Sequence, residues 1–178
     1  TKSISSHAFN QCQNIKSITL PDTVKTIGTR AFESCSSLET IYIGSGVEKI
    51  EDMPFVFDVE GLPCSNLKSI EVSKDNKYYT SVDGVLFNKE MTELIQYPIG
   101  KKQKEYVIPD SVTKIGNGAF RYCNELTKLT VGKGITVIGR TTFILLFISI
   151  ILTSSISMLK YFNNKEKEDS NNKKLTEE

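Results

Sequence analysis

The chain has almost no histidine and almost no excess of positive charge, two features on which many catalytic sites and nucleic-acid-binding proteins depend. Its 178 residues include one histidine and no tryptophan, and the formal net charge is only +1. The lysines and arginines are scattered and form no basic stripe, so nothing points to nucleic acid as a partner. The sequence also lacks Cys-x-x-Cys spacing and a complete glycine-rich phosphate loop. It contains no Asn-x-Ser/Thr sequon, so N-glycosylation gives no support for an extracellular location.

These absences leave no candidate catalytic site. The single histidine, His7, has no accompanying motif that would supply the nucleophile and the orienting acid of a hydrolase triad. The glycine pairs at 44/46 and 132/134 fit turns and do not precede a helix. We therefore predict a non-enzymatic protein without catalytic residues, cofactor or metal. An enzyme would need an acid–base or metal cluster upstream of Thr1.

What the chain does contain is a phrase that recurs at an offset of 23 residues. A fixed period of this kind indicates a leucine-rich-repeat solenoid, in which each unit buries its apolar edge only by stacking on its neighbours. The Leu-x-x-Ile-x-Leu part of the phrase alternates as a short half-buried strand does, and stacked units would align these strands in parallel. The matched positions are Ala8, Phe9, Cys12, Ile15, Ile18, Leu20, Val24 and Ile27, then Ala31, Phe32, Cys35, Leu38, Ile41, Ile43, Val47 and Ile50.

Two stretches interrupt the repeats. An insertion of six residues near 56–63 delays the third copy before Cys64. The phrase is then lost from Ser73 to Tyr106, where alternating residues at 85–87 and 93–97 predict two strands joined by a turn of about five residues. We therefore predict repeats over 1–72, an inserted hairpin-like module over 73–106, and further repeats over 107–140.

At this point the sequence resembles a known family. Residues Tyr106 to Cys123, YVIPDSVTKIGNGAFRYC, are similar to the BspA-type leucine-rich repeat of bacterial and protist surface proteins. The segment from Ser81 to Phe87, continuing to Tyr97 and Pro98, resembles the module often found between such repeats. The resemblance covers roughly residues 4 to 143. It implies surface display, membrane-anchored forms, and adhesion to proteins of a host or neighbouring cell.

Past Phe143 the 23-residue phrase would require Cys, Leu, Ile and Ile at 146, 149, 152 and 154, but the chain has Leu, Ser, Leu and Ser there. Positions 141–159 instead form 19 consecutive residues without a charge. As a helix they would span ~28 Å, close to the ~30 Å hydrocarbon core of a bilayer. We predict one transmembrane α-helix over 141–159. The alternative is a buried helix of a soluble domain, although nothing downstream could cover it.

Residues 160–178 are almost entirely charged or polar, and we expect a disordered tail. Five lysines follow the predicted span and four basic residues precede it, which is a slight bias toward a cytoplasmic tail. With the family resemblance, this favours a single-pass plasma-membrane protein with its repeats outside. The alternative is a tail-anchored scaffold whose repeats face the cytosol and recruit protein partners to an internal membrane.

The four cysteines share one position of the phrase, so they should line a column inside the stack as buried free thiols. A disulfide among the first three remains the alternative on distance. We expect the ligand to be a protein and the ligand surface to be the exposed side of the strands. The hairpin tyrosines Tyr78, Tyr79 and Tyr97 are a rival surface. The predicted surface consists of Ser17, Thr19, Thr40, Tyr42, Ser69, Glu71, Lys128 and Thr130.

Overall fold

The computed structural model describes residues 2–55, 64–140, 142 and the backbone of 149–152. The predicted insertion near 56–63 and the predicted tail at 160–178 therefore lie outside the described residues. Within them the chain forms short strands only, arranged as a leucine-rich-repeat solenoid. The strands are β1 Ser3–Ile4, β2 Ser17–Leu20, β3 Thr26–Ile27, β4 Thr40–Ile43, β5 Lys49–Ile50, β6 Ser69–Val72, β7 Tyr79–Val82, β8 Val85–Asn88, β9 Glu93–Gln96, β10 Glu105–Val107, β11 Lys114–Ile115, β12 Lys128–Val131, β13 Val137–Ile138 and β14 Ser149–Leu152.

The longer strands of successive repeats form parallel sheets. In the N-terminal half the order is β2-β4-β6, with Ile18, Ile41 and Ile70 in register. In the C-terminal half it is β10-β12-β14. Ile41 and Ile70 are fully buried, because alternation along each strand sends one side chain inward and the next outward. The predicted stacking of repeat strands into parallel sheets is confirmed.

The two-residue strands form a second row on another side of the solenoid. Here β1, β3 and β5 pair in parallel, with Ile4, Ile27 and Ile50 in register. Further along, β9, β11 and β13 do the same. The row is interrupted between β5 and β9, which do not pair with each other.

Strands β7, β8 and β9 form an antiparallel unit in the stretch of chain between β6 and β10. β8 pairs with both of its neighbours, and β9 also pairs in parallel with β11, which joins the unit to the C-terminal row. All of Val85, Leu86 and Phe87 are fully buried. Leu86 packs in the N-terminal core, whereas Val85 and Phe87 pack in the C-terminal core. β8 therefore contributes side chains to both cores and connects the two halves of the solenoid.

An aromatic ladder runs inside the stack. Phe32 lies between Phe9 and Phe55, with ring centroids 5.2 and 5.6 Å away. Tyr97 stacks on Phe120 at 5.3 Å and is 0% exposed. Tyr97 thus occupies the Phe position of a repeat unit and does not lie on the hairpin surface, where the sequence placed it. The segment carrying it is already part of a rung, since Tyr97 N–H donates to Ala119 O at 2.9 Å.

The four cysteines are free thiols, with Cys12 half-buried and the others buried. The Cys35 thiol donates to the carbonyl of Phe9, and the Cys64 thiol donates to that of Phe32, each at 3.0 Å. These bonds repeat from one rung to the next, so the cysteine column ties each turn to the preceding one. The hydrogen bond with Cys35, together with burial, raises the pKa of the Cys64 thiol, and burial alone raises the pKa of Cys123.

Most of the predicted membrane span lies outside the described residues. The four residues that are described form β14, which pairs with β12 so that Leu129 faces Ile150 and Val131 faces Leu152. These four residues form a strand and not part of the predicted helix, because the last repeat is two residues shorter than the 23-residue period on which the prediction relied. Shortening by two keeps the inward and outward alternation of a strand. The described residues include no helix with the length and apolarity needed to cross a membrane.

Candidate binding surface

The outward side chains of β2, β4 and β6 form two rows across the N-terminal sheet. Pairing places Ser17, Thr40 and Ser69 in one row. Thr19, Tyr42 and Glu71 form the other row, with Tyr42 in its centre. We call these six residues the strand face. The structure thus brings together six of the eight residues predicted as ligand surface.

Tyr42 is the largest side chain of the strand face and is 40% exposed. Its neighbours in the row are a hydroxyl and a carboxylate, and the Ser69 hydroxyl donates to that same carboxylate of Glu71. The strands beneath are fixed by fully buried residues such as Ile41. Tyrosine supplies a large contact area with few rotatable bonds, which suits it to protein interfaces. The face therefore offers a rigid anchor with adjacent hydrogen-bonding groups.

The other two predicted residues, Lys128 and Thr130, lie in the C-terminal sheet and not beside the first six. They face Glu105 and Val107 of β10 in register. Lys128 Nζ pairs with Glu105 Oε2 at 2.8 Å, and Val107 is 65% exposed. The sequence prediction missed these β10 residues because it assigned the chain up to Tyr106 to the inserted module. The available signal was the 23-residue offset, which relates Glu105 to Lys128 and Val107 to Thr130.

The hairpin of β7 and β8 borders the strand face at β6. Ile70 N–H donates to the carbonyl of Gly84 at 2.9 Å, and Val72 N–H donates to Ser81 Oγ at 3.1 Å. The unit therefore ends the N-terminal array and separates it from the C-terminal sheet. Its tyrosines do not form one surface. Tyr78 is 48% exposed, Tyr79 is half-buried, and Tyr97 is in the core.

A cleft opens where the row of short strands is interrupted. Its volume is about 380 Å³, and its walls come from β5 and the residues after it, from β7, and from β9 and β11. Two contacts cross it: Ile50 N–H donates to Tyr79 Oη at 2.8 Å, and Asn117 Nδ2 donates to Asp52 Oδ1 at 3.0 Å. The polar residues that line it include Glu48, Glu51, Asp52, Tyr78, Tyr79, Glu93, Lys114 and Asn117.

His7 has a partner that the sequence did not indicate. Its Nδ1 lies 2.7 Å from Glu33 Oε2, and the Glu33 side chain is buried. The pair joins the first repeat to the second at the same turn as the aromatic ladder, since Gln11 N–H donates to the carbonyl of Glu33. In the part of the chain that is described, no three potential metal ligands of the His, Cys, Asp or Glu type converge.

The repeats of the chain match the model of a known protein family. The BspA type leucine rich repeat region matches residues 1–100 and 97–171, in six copies. The second match extends through β14 and beyond it. No curated protein matches the chain significantly.

Solved structures of bacterial leucine-rich-repeat proteins resemble this one. The pneumococcal vaccine antigen PcpA is 28% identical, with a TM-score of 0.65 over 85% of this chain and 42% of that one. A leucine-rich repeat protein from Eubacterium ventriosum is 27% identical, with a TM-score of 0.57 over 81% and 49%. A leucine rich cell surface protein from Faecalibacterium prausnitzii, at 23% identity and a TM-score of 0.63 over 84% and 44%, shares the fold. The chain spans less than half the length of each of these proteins.

Proposed function

Because this chain belongs to the BspA-type leucine-rich-repeat family, we propose that it is a non-catalytic recognition module that binds another protein at a cell surface. Leucine-rich-repeat solenoids typically bind proteins through extended surfaces built from stacked units. The observation that carries the proposal is the strand face, where two in-register rows of exposed side chains surround Tyr42. Adhesion to a host or neighbouring cell is the biological role that fits such a module.

Surface display is the second part of the proposal. It is supported by the family and by the similar pneumococcal protein, which is described as a vaccine antigen. We place the repeats outside the plasma membrane and the C-terminal tail in the cytoplasm. A cytosol-facing scaffold on an internal membrane is the competing arrangement, and the two differ in which end of the chain is open to protease on intact cells.

The proposed anchor is the uncharged segment 141–159, and its support is the sequence alone. Strand β14 competes with it, because Ser149–Leu152 cannot pair with β12 and cross a bilayer at the same time. If β14 is kept, the residues left from 153 to 159 would span only ~10 Å as a helix, far less than the ~30 Å required. Anchoring by this segment therefore requires that β14 separate from β12.

Protein recognition is tested by binding the purified chain to a panel of extracellular proteins with biolayer interferometry. We expect Tyr42→Ala to weaken binding at least tenfold, because tyrosine is enriched among interface hot spots and truncation of a hot spot costs ~2 kcal/mol or more. Val137→Ala is the matched control, since Val137 is also an exposed apolar residue, 44% accessible, but lies on the row of short strands. Binding that is equally sensitive to both changes, or insensitive to Tyr42→Ala, would reject the strand face.

Display and anchoring are tested on cells that express the chain with a tag at each end. Protease added to intact cells should remove the N-terminal tag and spare the C-terminal one, and the chain should resist carbonate extraction. A protected N-terminal tag with an exposed C-terminal tag would support the cytosol-facing scaffold instead. Release by carbonate would show that 141–159 is no anchor and would leave β14 as the account of that segment.

A further inference from the structure

A cleft lies between the two halves of the solenoid, away from the strand face. Strand β5 ends the sheet β1-β3-β5, so within the described residues it has a strand neighbour on one side only. The next strand of that row, β9, is already paired with β8 and β11. The space between β5 and β9 is the cleft, with a volume of about 380 Å³. Binding pockets of proteins generally measure ~300–1,000 Å³, so the cleft is large enough for a side chain and part of a backbone.

The walls of the cleft are tied together without a ligand. Tyr79 Oη accepts the Ile50 N–H that points away from β3, and Asn117 joins Asp52 across 65 residues of sequence. A site whose walls are fixed before binding avoids part of the ordering cost of association. The cleft is therefore preformed and does not have to open at the expense of core packing.

The charges around the cleft are mostly negative. Four carboxylates line it, from Glu48, Glu51, Asp52 and Glu93, against one ammonium group, that of Lys114. Three of the carboxylates have lysine partners, Lys25, Lys49 and Lys114, at 2.6 to 3.0 Å. Asp52 has no such ion pair in the described part of the chain, and its hydrogen bond comes from the neutral amide of Asn117. The lining as a whole is thus negative, with its uncompensated charge at Asp52.

The uncharged part of the lining suits a long basic side chain. Tyr78, which is 48% exposed, offers a ring to a guanidinium or ammonium group. Ile50 and Ile95 are half-buried in the walls and can pack against an aliphatic stem. We propose that the cleft binds an arginine or lysine side chain carried on an extended segment of a partner protein. This contact is separate from the strand face and lies on the row of short strands.

A peptide titration followed by nuclear magnetic resonance tests this proposal. The probe is acetyl-Val-Thr-Arg-Thr-Val-amide, compared with the same peptide carrying citrulline, which has the shape of arginine without the charge. We expect the arginine peptide to shift the amide signals of Ile50, Asp52 and Asn117 in a saturable manner. The citrulline peptide should bind at least fivefold more weakly.

Two variants locate the contact. Asp52→Asn removes the charge but keeps an oxygen that can accept from Asn117, so the fold should survive and affinity for the arginine peptide should fall about fivefold. Glu71→Gln is the matched control, because it neutralises an exposed carboxylate of the strand face and should leave the affinity unchanged. Equal binding of the two peptides, equal binding by Asp52→Asn, or shifts confined to the strand face would overturn the proposal. Tighter binding of spermidine than of the peptide would overturn it as well, in favour of a free polycation.

Discussion

Truncation of Phe32 gives the sharpest test of how the rungs are held together. Its ring is 1% exposed and stacks on two neighbours, Phe9 at 5.2 Å and Phe55 at 5.6 Å. Phe9 is half-buried and, among the described residues, stacks on one ring. Phe32→Ala therefore removes contacts on both faces of the ring and leaves a closed cavity, whereas Phe9→Ala removes contacts on one face at the end of the stack.

The expected losses follow from these contacts. Replacing a buried phenylalanine with alanine typically costs ~3–5 kcal/mol, so we expect Phe32→Ala to lie in that range and Phe9→Ala to cost about half as much. The free energy of unfolding is measured by urea titration with far-UV circular dichroism. Its slope against urea concentration is compared between variants to check that each one unfolds in the same way. Phe32→Leu is the control for loss of the ring without most of the volume and should cost roughly 1–2 kcal/mol.

The test compares the losses in unfolding free energy caused by Phe32→Ala and by Phe9→Ala. If Phe9→Ala costs as much as Phe32→Ala, position in the stack does not determine the energy. If Phe32→Ala costs less than about 1 kcal/mol, the ladder does not contribute as a core does. Either result would refute nearest-neighbour stacking as the source of stability in the N-terminal half.

Three further outcomes are expected. Gly46→Ala should destabilise the chain by ~1–3 kcal/mol, because its new Cβ would overlap the backbone oxygen of Asp22 in the preceding rung. Gly134→Ala, at the equivalent turn, would bring its Cβ to 3.3 Å from the backbone oxygen of Asp110, a tight contact that a small shift relieves, and should cost clearly less than Gly46→Ala in the same urea assay. Tyr79→Phe should cost ~1 kcal/mol, because it removes the acceptor of the Ile50 N–H; an unchanged midpoint would contradict that bond. Iodoacetamide treatment of the native chain, followed by mass spectrometry, should label Cys12 first. Equally early labelling of Cys35, Cys64 or Cys123 would contradict the burial of those thiols.

The sequence predicted the repeated core well because burial repeats with the phrase. Positions such as Phe32, Cys35 and Ile41 recur at a fixed offset, and each is fully or almost fully buried. The strand face followed directly, since alternation assigns the residues between the buried ones to the outside. These features depend on local pattern alone, which a single sequence displays.

Other features depend on contacts that no local pattern records. Tyr97 takes the Phe position of a rung, but it precedes Pro98 and follows an antiparallel pair, so the phrase around it is not recognisable. The last rung is two residues shorter, which hid β14 from a comparison at a constant period. The cleft depends on a contact between Asp52 and Asn117, 65 residues apart, and on a strand row that stops at β5.

The most direct test of the account is the pattern of nuclear Overhauser effects between strands in solution. Stacked rungs predict contacts at an offset of 23 residues between β2 and β4, as between Ile18 and Ile41, and contacts of Ile41 with Ile70 in the next rung. Contacts between residues three or four apart in these segments, without any between successive repeats, would contradict the solenoid.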